Sequence, residues 1–351
     1  MTARHFSLCS TLLALACTTD GGSGNDTSSS TTAATASSDA SAASSSAGDG
    51  TTTAPGDSSG ASGSASATTA TSTTDASDGS SSSSSGGTDD PGPDLRMVGP
   101  HAVVHEDGEL SLPDSGCTMG YDIVRPGDVD DAPTVVLAHG FQGNRGSMAG
   151  WAEHWASWGV RVVTPDLCHA TIIDADHAQN GADLVVLAQA VAPGPVMYAG
   201  YSAGGLAAVL AAAQDGTAIA LLGLDMVDSG GLGAAAAAAV VAPAHDVVSE
   251  PSMCNSTANG VPVFGAMADS HVVRLFEADH CDFQNPGDAL CGLCSSPNDQ
   301  HTPEQIRAGI LGLSTAAVLL RTALDPRAAS WWNPGGAWYD AMIEAGELAQ
   351  L

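Results

Sequence analysis

From residue 134 onward, short apolar runs rich in β-branched residues alternate with longer amphipathic stretches. Examples of the runs are TVVLAHG at 134–140, VRVVTPD at 160–166 and PVMYAG at 195–200. Parallel strands must be joined by long crossovers, so this alternation is typical of buried parallel strands connected by helices. We therefore predict an α/β fold with a mostly parallel central sheet and helices on both faces.

The same alternation predicts the remaining elements. Further strands are expected at 218–225, 244–250 and 271–277, and one or two antiparallel edge strands within 101–125. Helices are expected over 146–158, 174–191, 203–214 and 303–323. In the last of these, Thr302 is the predicted N-terminal cap and Pro303 occupies the first turn.

Residues 18–93 cannot join such a core. They consist almost wholly of Ser, Thr, Ala, Gly and Asp, with no aromatic residue, Leu, Ile or Val. A chain of this composition buries too little apolar surface to offset the entropy lost on ordering. We predict a disordered tether over 18–93 and a single globular domain over 94–351.

The first 17 residues resemble an export signal, with one Arg, a short apolar run and then Cys17. We predict a signal peptide over 1–17 of the lipoprotein type, with Cys17 as the lipidated residue and the tether as a spacer. An ordinary cleaved secretory signal is the alternative. The protein is therefore expected to be exported, and to contact a membrane only through such an anchor.

Charge limits the classes of partner. The chain has 9 basic and 39 acidic residues, which gives a net charge of −30. All nine basic residues are Arg, and the sequence contains no Lys. Nucleic acid is not expected as a partner, because phosphate binding needs clustered Lys and Arg. The absence of lysine from the sequence also excludes Schiff-base chemistry.

Six cysteines lie beyond Cys9 and Cys17, namely Cys117, Cys168, Cys254, Cys281, Cys291 and Cys294. An even number in an exported chain predicts disulfide bonds, without defining their pairing. Cys291 and Cys294 form a C-x-x-C, but neither a thioredoxin-like context nor a second ligand pair accompanies it. We interpret it as structural, and we expect no metal and no cofactor.

Ser202 is the strongest candidate for a nucleophile. It lies in the G-x-S-x-G segment 200–204, between a predicted strand and a predicted helix, which is the context of a nucleophile elbow. Residues 56–60 match the same pattern within the tether, where neither a strand nor a helix is expected. The setting, and not the pattern, favours Ser202.

A serine hydroxyl needs a histidine base, and that histidine needs a carboxylate to orient it. His280 is the candidate base, because it follows the last predicted parallel strand and lies downstream of Ser202. For the acid, Asp225 directly follows a strand and is preferred. Asp228 and Glu250 also lie near strand ends and remain alternatives.

The tetrahedral intermediate of acyl transfer needs two backbone N–H donors. One is expected from Ala203, next to Ser202, and the other from Phe141, in the loop after the strand at 134–138. His139 in that loop is expected to brace it.

Four segments in this order, HGFQGN, GYSAGG, GLDMVD and ADHCDFQNP, resemble the α/β-hydrolase superfamily. The resemblance covers roughly residues 100–340 and is strongest to the chlorophyllase-like branch and related bacterial secreted esterases. It implies the α/β-hydrolase fold and a Ser202, Asp225, His280 triad, with Asp225 placed by the match to LDPVDG in that branch. Here His-Cys-Asp replaces the His-Met-Asp of plant chlorophyllases, and a cysteine-rich segment follows, so chlorophyll is not the expected substrate.

The sequence thus predicts a serine hydrolase that cleaves carboxylic esters through an acyl-enzyme. Its expected partner is a small-molecule or polymeric ester. A non-catalytic surface binding protein on the same fold is one alternative, and an acyltransferase or peptidase with the same triad is another. The oligomeric state is left open.

Overall fold

The computed structural model describes residues 90–287, Cys294 and residues 300–351. The predicted signal peptide and nearly all of the predicted tether lie outside the described residues. Residues 90–93 are described, and they contact the C-terminal region of the domain. Arg327 donates to the Asp90 carboxylate at 2.9 Å, and the Ser330 hydroxyl donates to the Pro91 carbonyl at 2.8 Å.

A nine-stranded sheet forms the centre of the described domain, in the order β1-β2-β4-β3-β7-β8-β9-β10-β11. Its strands are β1 (Val103–Leu112), β2 (Cys117–Pro126), β3 (Thr134–Ala138), β4 (Arg161–Pro165), β7 (Val196–Tyr201), β8 (Ala220–Leu224), β9 (Ala244–Val248), β10 (Ser270–Leu275) and β11 (Leu348–Gln350). Two further strands, β5 (Ala170–Thr171) and β6 (Asp174–Ala175), pair separately as a small hairpin.

The six strands from β4 to β10 are parallel, as the alternation in the sequence predicted. Strands β3, β7, β8 and β9 are buried along their whole length. A strand that is covered on both faces has no solvated side, which explains why these runs are continuously apolar instead of alternating. The α/β prediction with a mostly parallel sheet is confirmed.

Helices cover both faces of the sheet. The helices are α1 (Ala149–Ser157), α2 (His177–Val191), α3 (Ala203–Gln214), α4 (Leu232–Ala236), α5 (Val261–Gly265), α6 (Pro303–Arg321) and α7 (Ala337–Glu344). One apolar cluster joins α1, α6 and α7 to the sheet, and a second joins α2, α3 and α5. These two clusters are the hydrophobic cores on opposite faces of the sheet.

Element boundaries differ from the predictions where loops and edges intervene. The predicted helix over 174–191 begins only at His177, because Asp174 and Ala175 pair with β5 and Asp176 caps the helix. At the other end of the chain, α6 has the predicted capping: the Thr302 side chain accepts from the Gln305 N–H, and Pro303 follows. The short edge strand β11, which pairs antiparallel with β10, was not predicted.

All carboxyl ends of the parallel strands lie along one edge of the sheet. Ligand sites of open α/β sheets form outside this edge, because the loops that leave the strands converge there. Among the described helices, none combines the length and the apolar character that a membrane span requires.

Candidate active site

Ser202 lies in the sharp turn between β7, which ends at Tyr201, and α3, which begins at Ala203. Its backbone has φ 54° and ψ −122°, a conformation that a side chain other than glycine rarely adopts. Strain of this kind persists only where the surrounding structure enforces it. Here it holds the hydroxyl above the carboxyl edge of the sheet.

The two flanking glycines are required by close backbone approach. A Cβ on Gly200 would collide with the carbonyl of Gly204, and a Cβ on Gly204 would collide with the carbonyls of His139 and Ala138. Any side chain at either position would separate the turn from the strand or from the neighbouring loop. The motif is therefore a steric necessity at 200–204.

His280 lies over Ser202, at the start of a 3-10 turn (His280–Phe283) that follows β10. Its Nε2 is 2.9 Å from the Ser202 Oγ, and its Nδ1 is 2.6 Å from Asp225 Oδ2. His280 is 6% exposed, and its imidazole packs on the Tyr201 ring, with 4.9 Å between the centroids. Three residues that are distant in sequence thus form one continuous hydrogen-bonded chain.

Asp225 directly follows β8 and has a positive φ of 50°. Its carboxylate accepts from the Ser249 N–H at 3.0 Å and from the Ser249 hydroxyl at 2.6 Å. The Asn255 amide lies 3.4 Å from both oxygens. The two N–H groups of this amide have shorter bonds, to the Ser249 hydroxyl and the Glu250 carbonyl. The two Ser249 donors therefore hold the plane of the carboxylate so that Oδ2 faces the imidazole, and Asn255 fixes the Ser249 hydroxyl.

Of the three candidate carboxylates, all within the described residues, Asp225 is the one that contacts His280. Asp228 accepts from the N–H groups of Gly233 and Ala234 and so caps α4. Glu250 lies 3.9 Å from Arg274 and its side chain is 39% exposed. Both have partners elsewhere, and neither is joined to the imidazole.

Sequence reasoning did not identify Ser249 and Asn255 as site residues. Ser249 is the first residue after β9, and Asn255 lies in the following loop, fully buried. The position of Ser249 at a strand end was the available signal. Nothing local distinguishes Asn255, because its role depends on the path of a loop back towards β8.

The loop after β3 carries the second predicted oxyanion donor. A Cβ on Gly140 would lie 3.2 Å from the Ser202 Cβ, so this loop passes directly beside the hydroxyl. Among the described residues, the Phe141 N–H has no acceptor. The Ala203 N–H belongs to the first turn of α3, where a helix provides no internal partner. Two N–H groups therefore remain available on either side of Ser202.

His139 braces this loop, as predicted. Its Nδ1 donates to the Gly140 carbonyl at 2.7 Å, and its Nε2 accepts from the Leu167 N–H at 3.0 Å. Burial lowers the pKa of His139, which favours the neutral imidazole that this pattern of one donor and one acceptor requires.

A second carboxyl, Asp246, lies in β9 below the site and is fully buried. A Cβ on Gly223 would collide with it, so the glycine in β8 provides its space. Burial raises the pKa of Asp246 well above its ordinary value, and the nearby Asp225 carboxylate raises it further. Burial at this position therefore favours the neutral form of Asp246.

Two disulfides lie at this edge of the domain. Cys117–Cys168 joins β2 to the loop after β4, and Cys254–Cys294 joins the Asn255 loop to the chain downstream of His280. Cys281, next to His280, is also disulfide-bonded. Disulfide formation is thus confirmed for two pairs. The bond from Cys294 to Cys254 supports the structural interpretation of the C-x-x-C, whose Cys291 lies outside the described residues.

The arrangement can activate a hydroxyl, take up its proton and stabilise an oxyanion. No grouping of three metal-ligating side chains occurs among the described residues. The chain matches no protein-family model and no curated protein. Its interpretation therefore depends on the chemistry of these side chains.

Proposed function

We propose that this protein is a serine hydrolase of the α/β-hydrolase superfamily that cleaves carboxylic esters. The observation that carries the proposal is the hydrogen-bonded chain from Ser202 through His280 to Asp225, with distances of 2.9 and 2.6 Å. The strained turn at Ser202 and the strand order β2-β4-β3-β7-β8-β9-β10 give further support.

The first half of the reaction follows from this geometry. The Asp225 carboxylate accepts from Nδ1 of His280, which leaves Nε2 as the proton acceptor for the Ser202 hydroxyl. The Ser202 oxygen attacks the ester carbonyl carbon while its proton moves to Nε2. The carbonyl oxygen becomes an oxyanion, to which the N–H groups of Phe141 and Ala203 donate.

Collapse of the tetrahedral intermediate breaks the bond to the alcohol oxygen, which takes the proton from Nε2. The acyl group then remains on Ser202 as an ester. A water molecule gives its proton to Nε2 and attacks the acyl carbon through its oxygen, and the carboxylic acid leaves as Ser202 recovers its proton. Atoms and protons balance over one turnover.

Labelling and kinetics with S202A test the proposal. A fluorophosphonate should modify the peptide that contains Ser202, and a short-chain nitrophenyl ester should give a burst followed by steady turnover. S202A should lose both the label and, by at least about 10⁴-fold, kcat. Label on another peptide, or turnover that survives S202A, overturns the assignment.

The same assay separates the alternatives. A binding protein on this fold gives neither label nor burst. Product analysis in the presence of an alcohol or a peptide separates an acyltransferase or a peptidase from an esterase, because each transfers or releases a different group from the acyl-enzyme.

We also propose that the protein is exported and anchored through Cys17. The two described disulfides support export, because such bonds persist in oxidising compartments. Metabolic labelling with a fatty acid should mark the wild type and not C17S. Equal labelling of both, or of neither, contradicts the anchor.

A further inference from the structure

The hairpin β5–β6 presents two isoleucines to solvent. Ala170 pairs with Ala175 and Thr171 with Asp174, so Ile172 and Ile173 form the turn between them. Their side chains are 43% and 97% exposed. We refer to Ile172 and Ile173 as the apolar tip.

This choice of residues contradicts ordinary turn chemistry. Two-residue hairpin turns favour Gly, Asn and Asp, which accommodate the bend and are solvated by water. Two β-branched apolar side chains give neither benefit. Ile173 is almost wholly exposed, and an apolar side chain left in water at a turn is characteristic of a site that acts on something else.

The base of the hairpin is attached to the domain by hydrogen bonds and a disulfide. The His169 N–H donates to the Asn180 Oδ1 at 3.0 Å, and the Asn180 amide donates to the His169 carbonyl at 2.7 Å. The His169 ring contacts the Asp174 carboxylate at 2.9 Å. Cys168, one residue earlier, is disulfide-bonded to Cys117.

The hairpin also adjoins the loop after β3 that carries Phe141, which we call the oxyanion loop. The Gln142 N–H, next to Phe141, donates to the Ala170 carbonyl at 2.7 Å. Across the site, the loop after β9 that contains Asn255 presents Met253, which is 67% exposed. Apolar side chains thus project from loops on both sides of Ser202, at the carboxyl edge of the sheet.

The charged residues around the apolar tip indicate which kind of surface it can bind. No Arg or Lys occurs between Arg161 and Arg274, a stretch that includes the hairpin, Ser202 and the Met253 loop. Two acidic residues, Asp174 and Asp176, follow closely after the tip. Arg145, in the adjoining loop after β3, is already paired with Asp122 and Asp166. An anionic surface would therefore meet mainly acidic side chains here and be repelled, whereas a neutral apolar surface meets no such penalty.

We propose that the apolar tip docks onto the surface of a neutral, water-insoluble ester, such as a droplet or film, and so delivers the ester bond to Ser202. This proposal rests on the proposed hydrolase function for its substrate, but docking itself is measurable without turnover. It specifies the substrate class as an ester presented at an apolar surface.

Adsorption to tributyrin droplets tests docking in the S202A background, where no turnover occurs. S202A should adsorb, and S202A/I172S/I173S should adsorb at least about tenfold more weakly, since two apolar side chains no longer leave water. S202A/V241S is the matched control, because Val241 is 75% exposed but precedes β9, at the opposite edge of the sheet.

Turnover gives a second readout. The ratio of activity on emulsified tributyrin to activity on dissolved nitrophenyl acetate should fall at least about tenfold in I172S/I173S, and stay at the wild-type value in V241S.

Equal adsorption of the tip variant and S202A, or adsorption to phosphatidylglycerol vesicles as strong as to droplets, overturns docking to a neutral ester surface. If the wild type hydrolyses neither ester, the hydrolase proposal fails, while adsorption still decides the role of the tip.

Discussion

At the scale of single residues, Asn255 connects the loop after β9 to the Asp225 carboxylate. Its amide also donates to the Ser249 hydroxyl at 2.8 Å and to the Glu250 carbonyl at 2.9 Å. Its Oδ1 accepts from the N–H groups of Ser252 and Ala258. We assign Asn255 a positioning role, because it acts on Asp225 through the Ser249 hydroxyl and has no contact with Ser202 among the described residues.

We expect N255A to lower kcat about tenfold, equivalent to about 1.4 kcal/mol in the barrier, with little change in KM. The reason is that the Ser249 hydroxyl, which donates to Asp225, loses the donor that fixes it, while the substrate-binding surface is retained. Steady-state kinetics on a nitrophenyl ester measures both constants.

The matched control is N259A, four residues away. Asn259 accepts from the Asp228 N–H and donates to the Asp228 backbone carbonyl, so its side chain ties a loop in the same region without bonding to any triad residue or its partners. N259A should cost stability with kcat close to that of the wild type. An equal loss of kcat in both variants would mean that Asn255 stabilises the loop and does not specifically position Asp225.

Asp282 is a second residue with a measurable electrostatic role, in the turn that begins at His280. Its carboxylate accepts from the Asp279 N–H at 2.9 Å as part of a capping box. Burial raises its pKa from 3.8 to about 6. A raised pKa in the folded state means that folding favours the neutral form, so this stabilisation is full below about pH 4 and is lost as pH rises through 6.

We therefore expect the melting temperature of D282N, relative to that of the wild type, to increase as pH rises from 4 to 8. The reason is that the amide keeps an acceptor oxygen and cannot ionise. Melting temperatures across this range give the measurement. D340N is the control, because Asp340 is exposed and likewise accepts one backbone N–H, from Gly335 at 3.0 Å. A gap between D282N and the wild type that stays constant from pH 4 to 8 contradicts the assignment.

At the scale of elements, the site depends on loops that the parallel strands bring to one edge. Strands β3, β7, β8, β9 and β10 each supply one part of it, respectively the oxyanion loop, Ser202, Asp225, Ser249 and His280. Strands β3, β7, β8 and β9 are buried along their whole length, whereas the loop 249–260 is held by hydrogen bonds and by the Cys254–Cys294 disulfide. The weakest part of the site is therefore a loop and not the sheet.

Removing that disulfide in C254S/C294S should destabilise the domain by about 4 kcal/mol, the chain-entropy value for a loop of 40 residues. Catalysis should fall as well, because the Asn255 loop is no longer tied down. Denaturant unfolding and kcat measure the two effects.

A double-mutant cycle provides the specific test. N255A should cost less kcat in the C254S/C294S background than in C117S/C168S, which removes a bond of similar loop length, 51 residues, on the oxyanion side. If N255A lowers kcat by the same factor in both backgrounds, the Cys254–Cys294 disulfide does not contribute to the positioning of Asn255.

At the scale of the whole molecule, the net charge of −30 is the dominant property. Six of the arginines in the described domain already lie within 4 Å of an acidic partner, namely Arg96, Arg125, Arg145, Arg274, Arg321 and Arg327. The remaining acidic residues repel one another, and this repulsion opposes the compact state.

We expect the melting temperature to rise by about 3 °C or more between 0.01 and 0.5 M NaCl, because salt shortens the Debye length from about 30 Å to a few ångströms. KCl should act equally, since screening depends on ionic strength. A melting temperature that is unchanged or falls over this range would contradict self-repulsion as a limit on stability.

The sequence alone determined the strands of the parallel run, the long helices α1, α2, α3 and α6, and the setting of Ser202 and His280 at the carboxyl edge, but not the short helices α4 and α5. These features depend on periodicity and on residues that are neighbours along the chain, such as the glycines around Ser202. Sequence reasoning preferred Asp225 but left Asp228 and Glu250 open, because all three follow strands.

Only the tertiary structure decided which carboxylate meets His280, how Ser249 and Asn255 orient it, and where the Ile172–Ile173 turn lies relative to the oxyanion loop. Each of these is a contact between segments that are far apart along the chain. Such contacts depend on strand order and on the paths of loops, and local residue preferences carry no information about either.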